Sequence, residues 1–308
     1  MDAGHSGLRG QHDYPYRQCP VLLGCGIRGR FAQPKLAQCS ERLRTGGLQG
    51  IELGPVGFMP EDPAELSEAL DEFGLELIGG VVFRPFHDPD KWDDVMDGAV
   101  RTCKALKAHG AKHFVLIDSI SPRRAPTAGR ASEAEQMDDA EWSAYRERIV
   151  TIAKMGAEEY GLIPELHPHA GGFMDFEPEV ERILSEVPAD TLKLCIDTGH
   201  CTYAGFDPVA FMRRHMDRIT YVHFKSTDAK VKADAIANRT GFYDACGQGI
   251  FCNLADGEVD FPAVRNLLLD SGFEGWCTIE QDCDPTLDPD PFGDAKKNRE
   301  YLESIGFN

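Results

Sequence analysis

The sequence predicts an α/β fold: a single (β/α)8 TIM barrel with long loops after strands 4 and 7. Three observations predict it. From Val21 onward, short apolar runs alternate with longer amphipathic runs, giving eight units at a spacing of roughly thirty-five residues. Each apolar run is followed by a helical crossover, which makes neighbouring strands parallel. Acids and histidines fall where the apolar runs stop: Glu52, Asp118, Glu165, His167, Asp197, His223 and Glu280. The alternative is an open doubly wound sheet; a barrel of about 250 residues plus insertions is preferred on the count of eight units and because its strand ends form one ring at one mouth.

The elements follow in order. Val21-Leu22-Leu23 begins strand one, and a helix from about Pro34 to Arg44 has proline in its first turn. Between them, Gly24-Cys25-Gly26-Ile27-Arg28-Gly29 fits the spacing of a dinucleotide-binding turn, with Glu52 placed like a ribose-binding acid. The helix starts too late for that role, so a loop at the barrel mouth fits better, with Arg28 or Arg30 within reach of a polar substrate. Gly50–Gly54 is strand two and Glu61–Phe73 a helix closed by Gly74. Strand three is Leu75–Phe83, followed by a helix over Lys91–His109. His113–Asp118 is strand four; residues 119–137, rich in Ser, Pro, Arg and Gly, form a long loop. Asp138–Tyr160 is helical, and strand five runs to Glu165 and His167. A helix over Glu177–Val187 leads to strand six, which ends at Asp197, and Asp207–His215 is a short helix. Strand seven is Ile219–Phe224, residues 226–258 form a second long loop, and Phe261–Ser271 is a helix. Strand eight is Trp276–Ile279, and residues 290–304 make the last helix. The organisation expected is a loose tail over 1–18 and one barrel domain over 19–308.

The net charge of −19 opposes binding to nucleic acid or anionic lipid. No run of about 18 apolar residues marks a membrane span. Residues 1–18 lack the apolar stretch of a signal peptide, and the ten cysteines include no Cys-x-x-Cys pair. A cytoplasmic protein with reduced thiols is expected, with no nucleic-acid or membrane partner; assembly into a homo-oligomer is left open.

The stretch around which the rest is organised is Leu192-Lys193-Leu194-Cys195-Ile196-Asp197-Thr198-Gly199-His200. A buried strand, in which Cys195 serves as a small hydrophobe, stops abruptly in a carboxylate and an imidazole. Glu165, Asp197, His223 and Glu280 occupy matching ends of strands five to eight. Three carboxylates and one imidazole suit Mn²⁺ first, and also Mg²⁺, Fe²⁺, Co²⁺ or Zn²⁺, more than a closed thiolate-rich structural site.

These segments resemble a known family. Pro164-Glu165-Leu166-His167, Asp197-Thr198-Gly199-His200, Val222-His223-Phe224-Lys225 and Ile279-Glu280-Gln281-Asp282 are similar to the xylose isomerase-like TIM barrels, the sugar phosphate isomerase/epimerase superfamily that includes endonuclease IV. Gly275-Trp276 and Glu280-Gln281-Asp282 with Asp284-Pro285 are most similar to inosose dehydratases. Ala255–Phe261 resembles the family's run before the last helix–strand unit, with Asp256 in place of the usual first glycine. The resemblance implies metal ligands at Glu165, Asp197, His223 and Glu280. The family's usual acid after His-x-Lys is Ser226 here. No arginine follows at 226–229, which counts against a ketose 3-epimerase.

A divalent ion with open positions chelates an α-hydroxyketone, acidifies the α-proton and stabilises the resulting enediolate. Protonation then gives an epimer or an isomer, and expulsion of a β-hydroxyl gives dehydration. Glu165, Glu280, His200 and Lys225 are the expected catalytic groups. Glu52, His167, His169, His200 and Lys225 are expected to bind a small polyhydroxylated ketone. The surplus of proton donors favours a dehydratase of the inosose type. A keto-sugar isomerase or epimerase is the alternative, and a nuclease is opposed by the acidic charge.

Overall fold

The computed structural model describes residues 19–20, 49–54, 59–280, 282–283 and 291–307. The expected tail, first strand, glycine-rich turn and first helix lie outside these residues, apart from Cys19–Pro20. So do Gln281 and Asp284-Pro285.

Seven parallel strands form the central sheet: β2 (Gly50–Glu52), β3 (Glu76–Arg84), β4 (His113–Asp118), β5 (Ile163–Leu166), β6 (Lys193–Asp197), β7 (Ile219–Phe224) and β10 (Trp276–Ile279). They pair in sequence order, with β10 beside β7. β1 (Cys19–Pro20) pairs antiparallel with β11 (Asp282–Cys283). The sheet curls until its two edges approach: a Cβ on Gly50 of β2 would lie 3.2 Å from the Trp276 ring of β10. Strands 2 to 8 of the expected barrel are therefore these seven, in the expected order and at nearly the expected bounds.

The helices lie outside the curl: α1 (Pro63–Phe73), α2 (Trp92–His109), α3 (Asp139–Tyr160), α4 (Glu177–Glu186), α5 (Thr198–Ala204), α6 (Pro208–His215), α9 (Phe261–Asp270) and α10 (Pro291–Ser304). Their ends follow from local chemistry. Asp138 and Glu141 make a capping box at the start of α3, and Gly161 closes it at φ 70°, a conformation that costs other residues a Cβ clash. One apolar layer packs these helices on the outer face of the sheet. A second fills the barrel interior with Ile78, Val115, Ile117, Cys195 and Tyr221.

A third apolar cluster covers the C-terminal mouth, and here the sequence reading is corrected. Residues 226–258 are not a plain loop. They hold β8 (Ser226–Thr227), α7 (Ala229–Ala237), α8 (Phe242–Gly247) and β9 (Phe251–Cys252), with β8 and β9 antiparallel. Phe242, Ala245, Ile250 and Phe251 of this insert pack with Ala125 and Ala128 of the 119–137 segment and with Tyr203. Helices of nine and six residues give too short a periodic signal to read against a polar, glycine-containing background. The short helix α5 directly after β6 was not expected either.

The 119–137 segment is tied down by a buried ion pair. Arg124 Nη1 and Nη2 donate to Glu179 Oε1 and Oε2 at 2.7 and 3.1 Å. Glu179 Oε2 also accepts from the Asp175 and Phe176 backbone N–H groups. Removing one member leaves a buried charge without its counter-charge, so Glu179→Ala is expected to lower stability by about 3–5 kcal/mol. Denaturant unfolding of the variant checks this; a loss under ~1 kcal/mol would mean that the pair contributes no more than an exposed one.

Candidate active site

Strand alternation sends every second side chain into the barrel. On β6 these are Cys195 and then Asp197, whose register partners on β7 are Tyr221 and His223. Glu280 follows the end of β10, its N–H bonded to the Phe224 carbonyl at 2.9 Å. His167 follows β5, its N–H bonded to the Leu116 carbonyl at 3.0 Å. The ligand atoms of His167, Asp197, His223 and Glu280 all lie within 4.8 Å of one another, and all four residues are buried.

This set differs from the expected one at one position. Glu165 is two residues deeper in the barrel, where His113 Nδ1 lies 2.9 Å from its Oε1 and Thr220 Oγ1 donates to the same oxygen at 2.6 Å. Burial raises its pKa, against these hydrogen bonds. Glu165, expected as a ligand, lies outside the four-residue cluster: residues 165 and 167 share a face, and His167 is the one at the mouth. His167 Nε2 stands 3.7 Å from Asp197 Oδ2 and 4.0 Å from Glu280 Oε2.

The expectation for Glu52 as a substrate-binding residue also changes. Its Oε1 is 2.9 Å from His223 Nε2, so it stands behind the imidazole and fixes its orientation. With Nε2 engaged, His223 turns Nδ1 toward the cluster, 2.5 Å from Glu280 Oε2. Glu52→Gln is therefore expected to weaken metal binding by about 10–100-fold, the usual effect of losing a carboxylate behind a ligand histidine. Isothermal titration with Mn²⁺ reads this, and unchanged affinity would show that Glu52 does not orient a ligand. Asp118, also at a strand end, lies away from the cluster and accepts from the His87 and Phe173 N–H groups.

Lys225 reaches the cluster from the end of β7. Its Nζ is 3.2 Å from Asp197 Oδ2, 3.3 Å from Glu280 Oε1 and 3.0 Å from His200 Nε2. Gly199 makes this approach possible, because a Cβ there would sit 2.5 Å from Lys225 Cγ. Burial opposes the charge on Glu280, yet Lys225 and His223 hold its carboxyl down at about 2. Asp197 is likewise held well below the usual range, against its burial, chiefly by Lys225. Burial, with His169 and Lys225 beside it, keeps His200 neutral. Burial also lowers His169 to about 3.

His169 and His200 stack with ring centroids 3.9 Å apart. Phe251 of the insert packs edge-on to His200 and lies 5.1 Å from Lys225 Nζ. The structure thus brings His167, His169, His200, Lys225, Asp197, His223 and Glu280 together, and sets Glu165 and Glu52 behind them. The contribution of Phe251 had no sequence signal, since it comes from an insert whose folding was not visible. Ser226, in the place of the family's usual acid, is buried and accepts from the Val259 N–H.

The cluster also passes a chemical test for a cation. His167 Nε2, Asp197 Oδ2, His223 Nδ1 and Glu280 Oε2 are all buried and make no well-aligned hydrogen bond among the described residues, although His223 Nδ1 and Glu280 Oε2 approach to 2.5 Å and Lys225 Nζ stands 3.2 Å from Asp197 Oδ2. Such groups are costly to bury unless something fills the space between them. Two imidazole nitrogens and two carboxylate oxygens that converge in this way suit one divalent ion.

A curled parallel α/β sheet with a buried carboxylate–imidazole centre at its C-terminal mouth defines a class of barrel enzymes. Residues 41–305 match the family described as the xylose isomerase-like TIM barrel, and the chain belongs to that family. It is 33% identical over 267 residues to the rhizopine catabolism protein MocC of Rhizobium meliloti, covering 87% of this chain and 80% of that protein. It is 30% identical over 269 residues to the inosose dehydratase of Serratia proteamaculans, covering 86% of this chain and 88% of the relative. Among solved structures it is similar in fold to the IOLI protein with a bound zinc atom, at a TM-score of 0.64 and 14% identity, covering 86% and 91% of the two chains.

Proposed function

We propose that the protein is a divalent-metal-dependent carbon–oxygen lyase that dehydrates a keto-inositol, with Mn²⁺ as the ion and His167, Asp197, His223 and Glu280 as its ligands. The observation that carries this reading is the Lys225–His200 pair, 3.0 Å apart, set against the four-ligand cluster. It puts a proton donor beside a centre able to acidify a proton next to a ketone. The inosose dehydratase relatives support the same substrate class.

When bound, the ion supplies Lewis-acid polarisation of the substrate's ketone oxygen. The chain's own residues do the rest. Glu280, ionised, accepts the α-proton. Lys225 Nζ, hydrogen-bonded to neutral His200, delivers a proton to the departing hydroxyl. Asp197 Oδ2 and Glu280 Oε1, at 3.2 and 3.3 Å, hold Lys225 Nζ in place between turnovers. His169, Phe242 and Phe251 close the mouth over the reacting carbons and exclude water.

Incubation with 2-keto-myo-inositol and a panel of 3-keto-sugars in D₂O tests the reaction. A dehydratase gives a product lighter by one water, absorbing in the ultraviolet as an unsaturated diketone, with little label in recovered substrate. Deuterium in recovered sugar with no dehydrated product would replace this reading with an isomerase or epimerase.

A further inference from the structure

The barrel interior holds one donor, Cys195, that the proposed reaction does not use. Cys195 sits on β6 two residues below Asp197, so its side chain points into the barrel one layer under the mouth. Its sulfur lies within 4.8 Å of ligand nitrogens of both His167 and His223, which are themselves within that distance of each other. All three residues are fully buried. Neither ring nitrogen of His167 has a hydrogen-bond partner among the described residues.

We propose a second, deeper seating for a cation, formed by His167, Cys195 and His223 and selective for thiophilic divalent ions such as Co²⁺, Zn²⁺ and Cd²⁺. It rests on the same two histidines as the proposed catalytic set, so the two seatings exclude each other and one chain holds one ion. Ligand softness divides them. Carboxylate oxygens favour Mn²⁺ and Mg²⁺ at the mouth, whereas a sulfur ligand draws the softer ions down. Three protein ligands around an ion of tetrahedral preference leave one position open, as in zinc sites that keep an exchangeable ligand. Binding replaces the proton on Cys195 Sγ by the cation, and that proton leaves to solvent. An ion seated there is displaced from Asp197 and Glu280, so thiophilic ions occupy the protein in a position different from that of Mn²⁺.

Cobalt reports the sulfur directly, independently of turnover. The metal-stripped full chain is titrated with Co²⁺ and its near-ultraviolet absorption recorded. The expected result is one bound Co²⁺ with a sulfur-to-cobalt charge-transfer band in the wild type and in Asp197→Ala. The band is lost in Cys195→Ala and in the nearly isosteric Cys195→Ser. Mn²⁺ binding, followed by electron paramagnetic resonance, is expected to show the opposite pattern: retained in both Cys195 variants and lost in Asp197→Ala. That arm separates this proposal from the catalytic set. Bound Co²⁺ without the band in the wild type, or a band that survives in both Cys195 variants, overturns the deeper seating and leaves the mouth site standing. Loss of Mn²⁺ binding from the wild type would instead remove the mouth site.

Discussion

His167→Ala is expected to strip the divalent ion and to reduce turnover by on the order of 10³-fold, as befits loss of a group that fixes the electrophilic centre. Glu165→Gln is expected to keep the ion. The contrast follows from position on one strand. Both side chains face the barrel interior, but Glu165 is occupied by His113 and Thr220, while both nitrogens of His167 are unpartnered among the described residues. Metal analysis of the two purified variants decides between them. Metal retained by His167→Ala and lost by Glu165→Gln would restore the assignment that the sequence alone suggests. The remaining ligand histidine adds a pH dependence. Against burial, which favours the neutral ring, Cys195, Glu52 and Glu280 raise the pKa of His223 well above its ordinary value. The ion must displace that proton, so its affinity is expected to fall as the pH falls.

The second large effect is at Lys225. Lys225→Met and His200→Ala are expected to retain metal and lose about 10²–10⁴-fold in turnover, the range attributable to a positioned proton donor. His200 is the partner that aligns the ammonium, so its loss is expected to mimic that of Lys225. The two losses are also expected to be far from additive in the double variant. Steady-state kinetics of the three proteins checks this. Independent, additive losses would show that the pair does not act as a unit.

Much of this arrangement was legible in the sequence because it depends on strand ends. A carboxylate or imidazole where an apolar run stops has one place to go in a parallel barrel, and Asp197, His223 and Glu280 converge as that rule requires. What the rule lacks is depth. It could not say whether Glu165 or His167 occupies the mouth, because that depends on the register of β5 against β4, where Val115 opposes Glu165. Nor could it tell that Glu52 backs His223 from across the barrel, a contact between residues 171 positions apart. Period two did carry one unused signal: Cys195 shares a face with Asp197, although its apolar neighbours suggested a filler of the core. The mouth's cover was hidden for a different reason. α7 and α8 are held by packing on Tyr203 and on the 119–137 segment more than by any pattern of their own.

The claim on which the rest depends is that this barrel mouth performs proton abstraction and water loss at one bound ion. It is tested most directly by adding Mn²⁺ back to chelator-stripped protein in the presence of 2-keto-myo-inositol and following dehydrated product. The account predicts no product without metal, a rise in rate with added ion, and saturation at one equivalent per chain. Full activity in the stripped protein, or saturating metal with neither product nor solvent exchange at the α-carbon of any keto-inositol or keto-sugar, would contradict it.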